Sequence, residues 1–252
     1  MNLFILSSLF IFFLLYSSHF LRGKDMTTIN NNYKEYTVKV YDDRTEWYLN
    51  GNLHRENGPA IECANGTKEW YLNGKRHRKD GPAIEYADGY KAWWLNGNRH
   101  RVDGPAIEYA NGTKVWFLNG KRHREDGPAI ERADGYKAWY LNGNLHRENG
   151  PAVECADGTK EWYLTGKLHR EDGPAIERAD GYKAWYLNGN LHRVDGPAIE
   201  CADGSKHWWL NDIEYSEEQW KKEVAKIKNK NSCTGKIIEI DGKKYKLIET
   251  NK

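Results

Sequence analysis

Trp70-Tyr71-Leu72-Asn73-Gly74-Lys75-Arg76-His77-Arg78-Lys79-Asp80-Gly81-Pro82-Ala83-Ile84-Glu85-Tyr86-Ala87-Asp88-Gly89-Tyr90-Lys91-Ala92 is one complete unit of a 23-residue period. Equivalent units begin at Trp47, Trp93, Trp116, Trp139, Trp162 and Trp185, and an eighth starts at Trp208 but breaks down after Asn211. The spacing never slips. Across the seven full copies twelve positions do not vary, those held in this unit by Trp70, Leu72, Gly74, His77, Arg78, Gly81, Pro82, Ala83, Glu85, Ala87, Gly89 and Lys91. A fixed period of this length marks a stacked repeat array, in which each copy contacts only its neighbours, rather than a globule around one core.

Within the unit, Thr67 to Leu72 is rich in β formers and runs into Asn73-Gly74. That dipeptide fits a type I′ hairpin turn, whose two central residues both need φ > 0. The chain returns through Arg76-His77-Arg78, Asp80-Gly81-Pro82 stops the strand, and Ala83 to Tyr86 reads as another strand closed by Ala87-Asp88-Gly89. No stretch of the array has helical periodicity. The expected fold is therefore all-β, an elongated antiparallel β-hairpin repeat array with a solenoid-like rod form. One unit alone is expected to be unfolded, because ordering its backbone costs about 1–2 kcal/mol per residue against the burial of a single repeat Trp.

A longer period overlies the first. Thr67, Thr113 and Thr159 alternate with Tyr90, Tyr136 and Tyr182, and Ala92, Ala138 and Ala184 precede every second Trp. Residues 125–147 and 171–193 are identical, so the duplicated block is a 46-residue doublet.

Composition agrees with a thin fold. Mean hydropathy is −0.89 and charged residues make up 29%, yet aromatics reach 13% with eleven Trp, too many for a disordered chain. From Trp47 to His207 there are 23 Lys/Arg and 23 Asp/Glu. So even a balance argues against nucleic acid as a partner, since polyanion binding needs a basic surplus. Cys63, Cys155, Cys201 and Cys233 lack metal-type spacing and read as free thiols of a reducing compartment.

Asn73-Gly74-Lys75-Arg76-His77, followed by a glycine turn and Ala87-Asp88-Gly89, resembles the MORN repeat family. It is most similar to the MORN-like arrays carried by giant DNA viruses of the mimivirus group. The resemblance covers residues 47–211 and implies a β-hairpin scaffold, used in some members at membranes. Two departures limit it. Trp70-Tyr71-Leu72 lacks the glycine expected after the first aromatic, and His77 to Pro82 holds one extra residue before its glycine, so only the architecture carries over.

The seven repeat histidines His54, His77, His100, His123, His146, His169 and His192 each precede an Arg. They look superficially like a catalytic loop, but no Gly-rich loop or metal-binding motif accompanies them, and an active site is one asymmetric cluster rather than seven equal ones. Each repeat supplies a single His where a metal needs several converging ligands. No catalytic, cofactor-binding or metal site is expected, and no cofactor. The sharper expectation is structural, a repeated clasp in which Arg holds a carboxylate bidentately and lies flat on an indole. Its members are Trp70, Arg78 and Glu85, then Trp93, Arg101 and Glu108, then Trp116, Arg124 and Glu131.

The ends differ from the array. Residues 1–25 contain the hydrophobic run 3–21, long enough to cross a bilayer. It admits three readings: an anchor, a signal peptide, or an extension ahead of a start at Met26. As an anchor, with Arg22 and Lys24 behind it, it would keep the repeats on the cytoplasmic side, in a host cytoplasm if the chain is viral. Residues 26–46 read as a linker and a degenerate half repeat that caps the array around Thr37 to Val40. Residues 212–252 read as a capping helix and hairpin: Ser216 and Gln219 form a capping box, Tyr215 staples onto Trp220, and Trp220, Val224 and Ile227 share one face. The function expected is a non-catalytic scaffold or spacer for a protein partner, with a membrane-associated protein binding anionic lipid as the alternative. Aromatic edges left uncovered would also suit a homo-oligomer.

Overall fold

The computed structural model describes residues 26–31, 34–231, 237–241 and 243–246. The hydrophobic run 3–21 and Cys233 lie outside these residues. The chain divides into two compact units between Asn144 and Leu145.

In the first unit a ladder of antiparallel strands begins with Met26–Asn31, Lys34–Val40 and Arg44–Leu49. It continues through Ile61–Cys63, Lys68–Glu69, Ile84–Glu85, Lys91–Ala92, Ile107–Glu108, Lys114–Val115, Ile130–Glu131 and Lys137–Ala138. Each repeat thus contributes two short ladder strands. A separate hairpin lies between them, Tyr71–Leu72 with Lys75–Arg76 in one repeat and Trp94–Leu95 with Asn98–Arg99 in the next. The turn residues have φ of 51° at Asn73 and 74° at Gly74, both positive as a type I′ turn requires. Consecutive hairpins are joined by backbone bonds, Arg78 N–H to Trp94 O at 3.1 Å and Gly97 N–H to Arg76 O at 2.9 Å.

The second unit repeats the pattern. Val153–Glu154, Lys160–Glu161, Ile176–Glu177, Lys183–Ala184, Ile199–Glu200 and Lys206–Leu210 pair in succession. Ile213–Tyr215 ends the row against Lys206–Leu210.

The stretch from Thr67 to Leu72, expected as one strand, is split at Trp70. Trp70 N–H donates to Ala83 O at 2.8 Å, while Trp70 O accepts from His77 N–H at 3.0 Å. The two bonds serve different strands, so the chain leaves the ladder and enters the hairpin at the tryptophan. The end repeats do not split. Arg44–Leu49 runs through Trp47 because a long partner strand pairs Val38 with Trp47, and Lys206–Leu210 runs through Trp208 opposite Tyr215.

Cross-strand partners stand on the same side of a sheet. Ile84 lies opposite both Glu69 and Ala92, and Glu85 opposite both Lys68 and Lys91, so one side of the ladder is largely apolar and the other alternates Lys with Glu. The interior is thin: Ala83, Ala92, Ala106, Ala129 and Ala138 are fully covered, and among the described residues no large side chain is. The residue ahead of each repeat proline is a glycine for lack of space. A Cβ built on Gly127 would stand 2.8 Å from Cζ of Arg124.

Both ends hold more structure than the repeats alone supply. Met26–Asn31, expected as linker, is a strand paired with Lys34–Val40. At the other end the helix Glu217–Asn231 is capped reciprocally, Gln219 N–H to Ser216 Oγ at 3.3 Å and Ser216 N–H to Gln219 Oε1 at 3.1 Å. It lays Trp220 and Val224 on Leu210, with Tyr215 and Ile227 alongside. The Trp220 indole N–H also donates to Arg193 O at 3.0 Å. Ile237–Ile240 and Lys243–Lys246 form the last hairpin, with Asp241 at φ 50°.

Replacing Trp220 with Ala should remove about 3–5 kcal/mol from the last rung, the usual cost of emptying a buried aromatic site. Hydrogen exchange should show the loss of protection concentrated between Leu191 and Leu210, with the amides of the first unit unchanged.

Candidate functional site

The residues that vary least between repeats meet in one place, over the face of the repeat tryptophan. Arg78 Cζ lies 3.9 Å from the Trp70 ring centroid, Arg101 4.0 Å from Trp93 and Arg124 4.1 Å from Trp116. In the second unit Arg170 lies 4.0 Å from Trp162 and Arg193 3.8 Å from Trp185. The same guanidinium donates through Nη1 to the repeat Glu: Arg78 to Glu85 at 2.8 Å, Arg101 to Glu108 at 3.0 Å and Arg124 to Glu131 at 2.7 Å.

The carboxylate is not held bidentately, as the sequence suggests. Nη1 is shared with the proline carbonyl, Arg78 to Pro82 O at 3.0 Å and Arg124 to Pro128 O at 3.1 Å. Where the loop carries Asp, Nε takes it as a third partner, Arg124 to Asp126 at 3.0 Å and Arg170 to Asp172 at 2.9 Å. The clasp therefore ties the loop, the ladder strand and the indole together. Trp47, Trp70, Trp93, Trp116, Trp162 and Trp185 are each covered by Arg.

The histidine acts across the repeat boundary. Asn73 N–H donates to Nδ1 of His54 at 3.1 Å, Asn96 N–H to His77 at 3.2 Å and Thr165 N–H to His146 at 3.2 Å. Each His thus holds the left-handed turn residue of the following hairpin. Nδ1 also lies 2.9 Å from the side-chain oxygen of the same turn residue, as at His77 and Asn96, and where the loop carries Glu the ring Nε2 faces it, 3.6 Å from Glu125 in the case of His123. Sequence reasoning did not assign these histidines to the next hairpin. The signal was available, since the turn residue always follows its His by 19 positions.

Between successive clasps lies a groove. One of about 680 Å³ has Trp116 and Leu118 as its floor, with Arg101 to Gly104 on one wall and His123 to Asp126 on the other. Equivalent grooves of about 670 Å³ at Trp93, 820 Å³ at Trp162 and 740 Å³ at Trp185 are lined by the matching residues. Within each unit the grooves share the same Trp and Leu floor, while one rim position varies among Lys79, Val102, Glu125, Glu148, Glu171 and Val194. In the Trp116 groove Arg101 and Arg124 are already paired with Asp103 and Asp126, and Glu125 faces His123, which suits docking of a surface rather than acid–base work. Among the described residues no three His, Cys, Asp or Glu side chains converge as a metal site.

Cys63 and Cys201 are free thiols, and Cys63, partly buried, has its thiol pKa pushed up by burial first of all. Among the described residues no helix is long and apolar enough to cross a membrane. No protein-family model matches the chain, and no curated protein matches it.

Arg124→Ala should lower stability by about 2 kcal/mol, from one charge-assisted bond and one cation–π contact. Gly127→Ala should cost a similar amount by displacing the same guanidinium. Acid should act on the clasp as well. Hydrogen bonding from Arg124 holds the exposed Asp126 carboxylate below its usual value of 3.8, and Arg170 does the same to Asp172. A depressed carboxylate pKa adds stability above the unfolded value and loses it as pH falls through the folded one. Thermal melts should therefore drop below about pH 4 for the native chain, and drop less for Arg124→Ala.

Proposed function

We propose that this chain is a non-catalytic repeat scaffold, MORN-like in plan, that binds a protein partner through the grooves of its units. The observation that carries this reading is the recurrence of one groove, with the same Trp and Leu floor, at Trp93, Trp116, Trp162 and Trp185. Trp and Arg dominate the energetics of protein interfaces, and here they are held rigid before any partner arrives, which lowers the entropy cost of docking. Neighbouring equal sites within a unit favour an extended partner that engages more than one at once, each weak alone. Such a surface offers recognition without an asymmetric catalytic cluster, and no enzyme activity is proposed.

The membrane-associated alternative rests on the hydrophobic run 3–21, which lies outside the described residues. It calls for anionic vesicles, where the groove reading calls for a protein.

Val102 separates the two readings. It lines two grooves and its side chain is 83% exposed, so Val102→Asp should change stability by no more than about 0.5 kcal/mol. A partner captured by the native chain should be lost by at least about tenfold with this variant. Vesicle flotation should stay negative for both. Capture indifferent to Val102→Asp would contradict the groove reading, and salt-sensitive vesicle binding would favour the membrane one.

A further inference from the structure

The even total charge of the array averages over two different halves. Residues 70–138 carry 13 Lys/Arg and 9 Asp/Glu, a net of +4, whereas residues 139–207 carry 8 and 11, a net of −3. The surplus in the first half is not spread over the surface. Tyr71, Trp94 and Phe117 stand directly across their hairpins from Arg76, Arg99 and Arg122. They share a side with the apolar ladder row, since Glu69, opposite Ile84 in the ladder, bonds both Arg76 and the Tyr71 hydroxyl.

On that side arginine and ring alternate. Arg76 lies 5.6 Å from Tyr71 and 5.5 Å from Trp94, Arg99 5.2 Å from Trp94 and 5.4 Å from Phe117, and Arg122 5.9 Å from Phe117 and 5.4 Å from Tyr140. The rings occupy the guanidinium faces; Arg76 gives Nε and Nη2 to Glu69, while the edges of the next two arginines hold no carboxylate of the described residues. Among the described residues neither Arg99 nor Arg122 has a carboxylate within ion-pair distance, and Nε of Arg99 is buried without a hydrogen-bond partner. Arg132, over Tyr136 at 4.4 Å, is likewise without one. This contrasts with the clasp arginines of the grooves, all of which hold a carboxylate. Beside the stack Tyr90 packs between Tyr86 at 5.0 Å and Tyr109 at 5.3 Å, and the outer two rings are 41% and 43% exposed.

From this juxtaposition we propose that the side of the first unit carrying Arg76, Arg99, Arg122 and Arg132 binds single-stranded nucleic acid. Each repeat advances by two ladder strands, so successive arginines stand about 10 Å apart. A phosphodiester backbone, charged at every nucleotide, can meet all of them with bidentate contacts. The open tyrosine faces supply what a plain polyanion would leave unused, a platform on which bases stack without regard to sequence. The second unit is a natural contrast, for Leu145, Leu168 and Leu191 take the place of the stacked arginines.

The test is fluorescence anisotropy of the full chain with a labelled oligothymidylate over a range of salt. Arg99→Leu with Arg122→Leu introduces the residue the chain itself uses at this position. It should weaken binding at least about tenfold and flatten the log–log salt slope by about 1.4, at about 0.7 per lost phosphate contact. Lys91→Ala with Lys137→Ala, on the opposite side of the ladder, should change affinity less than about twofold. Arg122→Gln, at an exposed side chain, gives the same direction if the double variant melts early. Absence of binding by the native chain, equal losses from the lysine pair, or an abasic strand or polyglutamate binding as tightly as oligothymidylate would each overturn the proposal.

Discussion

The backbone of the repeat tryptophan is divided between two sheets, and the rest of the structure depends on that division. Its N–H is held by the ladder and its carbonyl by the hairpin, as at Trp70 with Ala83 and His77. Strands on either side are only two residues long through the middle of the array, too short to persist without neighbours on both flanks. Each repeat is consequently completed by the next. The bonds from Arg78 to Trp94 and from Gly97 to Arg76 are the points where this happens.

Seven of the twelve constant residues serve this junction. Arg covers the indole and ties it to the proline loop and to the ladder Glu, and glycine leaves room for the guanidinium. The covered Ala supplies the carbonyl that receives the tryptophan N–H, and His holds the following turn. A lone surface ion pair is worth little, but here one guanidinium is fixed by a ring, a carbonyl and a carboxylate at once, so its loss disturbs several elements together. Variation between repeats falls on the opposite side, at the positions of Tyr71, Arg76, Tyr86, Tyr90 and Ala92, and in the groove wall at that of Val102. The grooves thus keep a constant floor, while the opposite side differs from one unit to the other.

Much of this was legible in the sequence, because the deciding signals are local. Asn73-Gly74 announces its turn and Ser216 with Gln219 its helix start, both set by backbone geometry within four residues. The clasp membership of Arg78, Glu85 and Trp70 could be read from recurrence at a fixed spacing. Its geometry could not, since the proline carbonyl and the loop Asp compete for the same guanidinium only once the loop has folded. The break at Trp70 was hidden for a similar reason: β propensity is continuous from Thr67 to Leu72, and only tertiary partners divide it. Met26–Asn31 lacks any strand pattern of its own and is ordered by its pairing with Lys34–Val40. The unpaired arginines escaped notice because charge counting does not record which side of a strand a residue faces.

If neighbours complete one another, stability must scale with the number of repeats. Deleting residues 79–124 removes one doublet inside the first unit and joins Arg78 to Glu125, restoring the register of the loop. Urea unfolding of this variant against the full chain measures the central claim directly. The account predicts a folded protein with a lower midpoint and a smaller m-value, since less surface is buried. An unchanged midpoint and slope would show that the repeats fold independently, and would contradict it.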